Sequence, residues 1–274
     1  MPETSTPAGP SGNGTAMPFA RRINTVSTTE PWQWLALGWA DMRRTRGISL
    51  IYGLIFVVSG YAVTIGLYQL GYYYLIWPLS AGFVLVAPVF AVGIYELSRR
   101  MEAGEPATFM SAMNAWRRAP GRFLGAGLAM AFFLILWVRS AALIYVINFP
   151  HGMLTIQNLL NTTLFSVDGL VFLAVGTVIG AVFATAAFLV SAVSLPMMLG
   201  ERADFLPAIL TSIFAVTKNP RAMAVWAGII VVVTGVGMVA AMVGLAVTLP
   251  LIGHATWHAY KTLVRSEPHS DKPG

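Results

Sequence analysis

The sequence predicts an all-α, polytopic membrane protein with six membrane-spanning helices. They form three hairpin repeats, each introduced by an amphipathic helix on the cytoplasmic side. Three observations predict this fold. Apolar residues make up 57% of the 274 residues and charged residues only 10%, outside the range of soluble globular domains. Several uncharged runs exceed the roughly 20 residues needed to cross a hydrocarbon layer of about 30 Å. One construction also recurs three times: an amphipathic lead-in, a basic Pro/Gly turn, a long apolar stretch, and an exit marked by proline.

The lead-ins are WQWLALGWADMRRTRG (Trp32–Gly47), FMSAMNAWRRAPG (Phe109–Gly121) and FLPAILTSIFAVTKNP (Phe205–Pro220). The exits are VAPVFAVGIYELSRR, VSLPMMLGER and VTLPLIGHATWHAYK, with Pro88, Pro196 and Pro250 in register. A helical stripe is expected at Trp32, Leu35, Trp39 and Met42, another at Phe109, Ala112, Met113 and Trp116, and a third at Leu206, Ile209, Leu210 and Ile213. Short stripes with Trp and flanking Arg suit helices in the headgroup plane or a collar packed on the bundle.

Four apolar runs are plain, at about 48–68, 72–97, 123–147 and 166–197. The fifth, 221–260, suits either one long tilted helix or two tightly joined ones. Gly235, Gly237 and Gly244 are the candidates for a turn, because glycine tolerates positive φ. The hairpin is favoured by Pro250, which matches Pro88 and Pro196, and by charge. Of the 17 Lys and Arg residues only Arg139 falls inside a span. Six spans place the other 16 on one side, the cytoplasm, whereas five would export the last three. Both termini are therefore expected inside.

The domain reading is a disordered cytoplasmic tail at 1–30, a membrane domain at 31–265 (repeat units at about 31–104, 105–203 and 204–265), and a second disordered tail at 266–274. The first 30 residues are rich in Ser, Thr, Pro and Gly, with no apolar stretch before Ile48, so they are not a signal peptide. The absence of cysteine removes disulfides and thiolate chemistry. A pI near 9.8 comes from basic residues beside the apolar runs, which points to anionic headgroups as partners and away from nucleic acid.

LALGWADMRR, LSAGFVLVAPVFAVGIYELSRRMEAGEPATF, the NP of KNPRAMAVWA and LPLIGHATWHAYKTLV resemble a bacterial integral membrane family catalogued as a domain of unknown function, numbered twenty-one eighty-nine. The resemblance spans roughly residues 30–265. It implies a bacterial inner-membrane, multi-helix protein, and it carries no mechanism or catalytic residue.

Few residues invite a chemical reading. Arg139 costs roughly 2.5–3.5 kcal/mol at a span centre. It is either an anion contact in an outward cavity or a structural arginine that snorkels or pairs with Asp168. His254 and His258 share a helix face at a spacing that can chelate a metal. However, HATWH places Ala255 where the HExxH general base belongs. With Glu96 at similar depth they would form a metal, haem or proton-relay site, or else cap the basic rim. Arg43, Arg44, Arg99, Arg100, Arg117 and Arg118 read as topology determinants or as a lipid-headgroup site. The prolines read as kinks, and Gly121/Gly125 and Gly176/Gly180 as helix-packing faces.

No Walker loop, nucleophile elbow or intramembrane carboxylate pair is present, so no enzyme, cofactor or metal is expected. The leading function is a non-enzymatic scaffold, accessory or lipid-interacting protein, with a membrane partner or a second copy as the company it would keep. The alternative is a small-molecule or ion transporter with Arg139 in its path. A metal or haem protein, or an intramembrane enzyme, comes third.

Overall fold

The computed structural model describes residues 23–149, 163–201 and 203–265. Most of the two expected tails, and most of the loop between the third and fourth apolar runs, lie outside these residues. The described chain is helical throughout, apart from turns and an isolated antiparallel bridge between Ile23 and Val264.

In chain order the helices are α1 (Glu30–Arg44), α2 (Arg46–Gln69), α3 (Ile76–Phe90), α4 (Val92–Glu102) and α5 (Phe109–Met113). They continue as α6 (Pro120–Asn148), α7 (Val167–Ser191), α8 (Ser194–Gly200), α9 (Phe205–Lys218), α10 (Pro220–Val239) and α11 (Leu245–Leu263). Five segments are long and apolar enough to cross a membrane: Arg46–Gln69, Tyr73–Glu102, Pro120–Asn148, Val167–Gly200 and Pro220–Val239. They match the four plain runs and the first half of the fifth. α11 is not among the five.

The long fifth run does reverse direction, but not on its glycines. Gly235 and Gly237 lie within α10, and the left-handed turn residues are Ala241 (φ 49°) and Met242 (φ 61°). Gly237 and Gly244 instead let the two arms approach, since a Cβ on Gly244 would lie 2.8 Å from Gly237 Cα.

The proline exits behave unequally. The chain breaks its helix at Ala91 after Pro88 and at Ala192–Val193 before Pro196, whereas α11 runs unbroken through Pro250. Pro250 has no N–H for the carbonyl of Ala246, four residues earlier. Gly53 of α2 packs against that same carbonyl, where a Cβ would collide with it. The three exit segments converge at the basic end: 91–98, 192–199 and Ile252–Trp257 are buried together. The hairpins are not equivalent, because α7 is exposed along most of its length while α11 is enclosed by α1, α2, α4 and α10.

The lead-in helices pack on this core, but in a different phase from the expected stripes. α1 buries Pro31, Trp34, Gly38, Asp41 and Met42, and leaves Trp32 and Trp39 exposed. In the second lead-in Ala112 and Ala115 are buried while Met110 and Met113 are exposed. In α9, Ala208, Thr211, Ser212 and Ala215 are buried and Leu206 is exposed. Small residues such as Gly38, Ala112, Ala115, Ala208 and Ala215 face the bundle, where backbones must come close, joined in α1 by the buried Trp34 and Met42. At Gly38 an added Cβ would lie 2.8 Å from Ala255 Cα.

Of the predicted glycine faces, Gly180 takes the Trp137 ring and Gly125 meets Phe205, while Gly176 and Gly121 face open space.

Candidate functional site

The membrane body starts earlier than residue 30. Ile23 is buried, Asn24 N–H donates to the Leu263 carbonyl at 2.8 Å, and Asn24 Nδ2 donates to the Thr262 carbonyl at 2.8 Å. Asn219, just before α10, is tied to the same strip: Val26 N–H donates to its Oδ1, and its Nδ2 donates to the Asn24 carbonyl. The two ends of the described chain therefore lie side by side at the basic end.

Just inside that end, four helices contribute to one buried polar network. α1 supplies Asp41, α2 and its first turn supply Thr45 and Ser49, α4 supplies Ser98, and α11 supplies His254 and His258. Ser98 Oγ donates to Asp41 Oδ2 at 2.8 Å and lies 2.7 Å from His254 Nδ1. His254 Nε2 lies 2.9 Å from Ser49 Oγ, and His258 Nε2 lies 2.8 Å from Asp41 Oδ2. Ser49 and His254 have no exposed surface.

Proton counting assigns the imidazole. Ser98 has one hydroxyl proton and gives it to Asp41, so Nδ1–H of His254 must donate to Ser98. Nε2 is then the acceptor for Ser49, and a neutral ring satisfies every member. Burial by itself would raise the Asp41 carboxyl, but hydrogen bonds from His258 and Ser98, with the nearby charge of His258, hold it below its ordinary range. The chain Asp41–Ser98–His254–Ser49 can polarise and hold a proton. It also fastens α1 to the centre of the bundle.

The histidines do not meet Glu96. That carboxylate, 1% exposed, accepts instead from Arg99 Nε at 2.8 Å, Arg100 Nε at 2.8 Å and Arg118 Nη1 at 2.6 Å, and Arg99 also pairs with Glu105 at 2.7 Å. Among the described residues, no group of three or more His, Cys, Asp or Glu side chains is arranged to hold a metal ion. Asp41 is the acid that sequence reasoning missed. It sits on the buried Trp34–Gly38 face of α1, while Trp32 and Trp39 of the expected stripe are exposed.

Glu96, Arg100 and Arg118 line an open polar pocket of about 560 Å³ at the basic end, completed by Glu105, Thr108 and Asn114. It joins arginines from the first and second lead-in units. Arg43, Arg44 and Arg117 are exposed outside it. Arg139 and Asp168 are both exposed and form no bond with each other, and Arg139 has no hydrogen-bond or ion-pair partner among the described residues. It lies on the outward stripe of α6 with Phe132, Leu136 and Leu143, and it lines neither this pocket nor the apolar cavity between α7 and α10.

An all-helical body with five apolar helices of membrane length and a basic rim defines a multi-pass membrane protein of unknown function. Residues 76–200 match the family described as Predicted integral membrane protein (DUF2189). The match runs from α3 to α8 and includes LSAGFVLVAPVFAVGIYELSRRMEAGEPATF. The flanking LALGWADMRR and LPLIGHATWHAYKTLV, which also carry the resemblance, lie outside it. No curated protein matches this chain. No solved structure matches it.

Proposed function

We propose that the chain is a non-enzymatic, lipid-interacting protein of the bacterial inner membrane that engages anionic headgroups at a cytoplasmic rim. The observation that carries the reading is the gathering of Arg99, Arg100 and Arg118 around a single buried carboxylate beside an open polar pocket. Guanidinium groups present paired N–H donors to phosphate. Glu96 orients them, and the surplus charge faces the level where headgroups lie. The exposed Trp32 and Trp39 of α1 extend this rim as an interfacial face.

The test is native mass spectrometry after reconstitution in vesicles of phosphatidylglycerol or of phosphatidylcholine. Retention of phosphatidylglycerol over phosphatidylcholine is expected to fall about tenfold in Arg100→Ala/Arg118→Ala. Equal retention of the two lipids by the unaltered chain would sink the reading.

The same proposal takes six spans, with both ends cytoplasmic. Support comes from the pairing of residues 23–26 with 219 and with 262–265. Groups hydrogen-bonded to one another belong on one side of a bilayer, which favours an even number of crossings between 219 and 262. α11, at 19 residues, spans roughly 28 Å. Since the chain has no native cysteine, Thr25→Cys and Arg265→Cys should react with a membrane-impermeant thiol reagent from one side, and Ala241→Cys from the other.

A further inference from the structure

We infer that Arg139 is a phosphate-binding position on the lipid-facing side of α6, where it draws the headgroup of a phospholipid from the leaflet opposite the basic rim into the hydrocarbon layer. The inference needs α6 to cross the membrane, and it is independent of the headgroup preference of the rim.

The residues around Arg139 define what it faces. Arg139 is exposed and has no hydrogen-bond or ion-pair partner among the described residues. Beyond Gly121, the other exposed residues of α6 are all Leu, Ile, Val or Phe, among them Phe132, Ile135, Leu136 and Leu143. Helices that pack side by side in a bilayer meet through small residues. This face offers none, so it fits acyl chains.

Charge then narrows the occupant. A guanidinium bare in hydrocarbon is among the costliest placements of a side chain, and its natural partners are carboxylate and phosphate. A second copy cannot supply the carboxylate. Asp168 is the one acid in the sequence between Glu105 and Glu201, and none lies between Arg46 and Tyr95 or between Asn219 and Val264. Two contacts set the register of α6 against α7. An added Cβ on Gly180 would lie 3.1 Å from the Trp137 ring, and the Tyr145 and Phe172 rings are 6.3 Å apart. On that register Asp168 lies about ten residues, or roughly 15 Å, nearer the far surface than Arg139. Copies related by a two-fold axis along the membrane normal share their depth, so the two charges do not meet.

Depth leaves phosphate. α6 departs from the basic end at Arg122, which pairs with Asp204 at 3.1 Å. Arg139 lies about 26 Å further along the axis, against a hydrocarbon thickness of about 30 Å. Its Cα is therefore within about one helical turn of the far hydrocarbon edge, below the aromatic cluster of Tyr74, Tyr145, Phe149 and Phe172. Side chains on an α-helix lean toward its N-terminus, here away from that edge. The headgroup therefore comes down to the guanidinium, by the local thinning with which bilayers accommodate such arginines. The planar fork of N–H donors then takes two phosphate oxygens.

The experiment places a reporter beside the arginine. The chain has no cysteine, so a nitroxide is attached at Ile135→Cys, one turn inward on the same face and 58% exposed. The labelled full chain is reconstituted in dioleoylphosphatidylcholine in phosphate-free buffer, and electron–nuclear double resonance reads phosphorus next to the label. A phosphorus coupling is expected. Arg139→Leu, which keeps the helix and its apolar face, should weaken it at least about threefold, with the helical circular dichroism unchanged. A label at Leu128→Cys, about 10 Å deeper, should show no coupling in either chain. In vesicles of digalactosyldiacylglycerol with inorganic phosphate in the buffer, the coupling at Ile135→Cys should vanish, which makes the lipid its source. A coupling there would make free phosphate the ligand and overturn the headgroup assignment. So would no coupling in dioleoylphosphatidylcholine, a coupling that survives Arg139→Leu, or a dimer that Arg139→Leu converts to monomer.

Discussion

Replacing Asp41 tests whether the buried network holds α1 to the bundle. The carboxylate accepts from Ser98 and His258, each at 2.8 Å, and is only 7% exposed. A hydrogen bond to a charged acceptor contributes about 1.5–3 kcal/mol. In Asp41→Ala, His258 can turn toward solvent, because its side chain is already 24% exposed, but Ser98 has no water to turn to. The expected loss is therefore about 3–5 kcal/mol, the range for breaking a buried pair. At roughly 2–4 °C per kcal/mol, the melting temperature in detergent should fall by about 6–20 °C.

Asp41→Asn keeps an acceptor and should lose about half as much. The deficit also has a signed pH dependence. The folded-state carboxyl titrates below its ordinary value, so its contribution is full above the unfolded value of about 3.9. That contribution disappears as pH falls through the lower folded value. The gap between the two proteins should close in strong acid. An unchanged melting temperature in Asp41→Ala at pH 7 would refute the argument. So would strict additivity with Ser98→Ala, since contacting partners should couple by about 0.5–3 kcal/mol.

Further outcomes follow from packing and charge. Gly53→Ala should cost at least about 2 kcal/mol through collision with the Ala246 carbonyl. Gly66→Ala, with open space around it, should be neutral or gain up to about 1 kcal/mol from helix propensity; parallel thermal melts compare them. Ala241→Gly relieves a left-handed residue at an exposed turn and should raise the melting temperature by about 1–4 °C, from about 0.5–1 kcal/mol. Glu96→Gln removes the negative charge that Arg99, Arg100 and Arg118 share. It should lower stability while increasing phosphatidylglycerol retention, both measured on one preparation.

Much of the fold was legible because the relevant signals are local. Run lengths fixed the apolar helices to within a few residues, and the break in the fifth run followed from its excess length. The candidate site was legible only in part. His254 and His258 do belong together with an acid, but that acid is Asp41 in place of Glu96. Glu96 is claimed by arginines 3, 4 and 22 residues away. No periodicity could pick Asp41 out, because its helix was phased on Trp32 and Trp39, which face away from the bundle.

What the sequence determined by itself was the class: helical, multi-pass and basic along one rim. Chain length against bilayer thickness and the positions of charge decide those properties, and neither needs a contact map. Only the tertiary structure decided that α11, the least span-like of the long helices, is the central one, and which face of each lead-in helix is packed. The physical reason lies in the solvent. In water, bulky apolar side chains point inward, so their period reveals the core. In a bilayer they are equally at home facing lipid, so bulk alone does not separate the buried Trp34 from the exposed Trp32 and Trp39, and contacts at Gly38 and the paired polar groups of other helices show which face is inside.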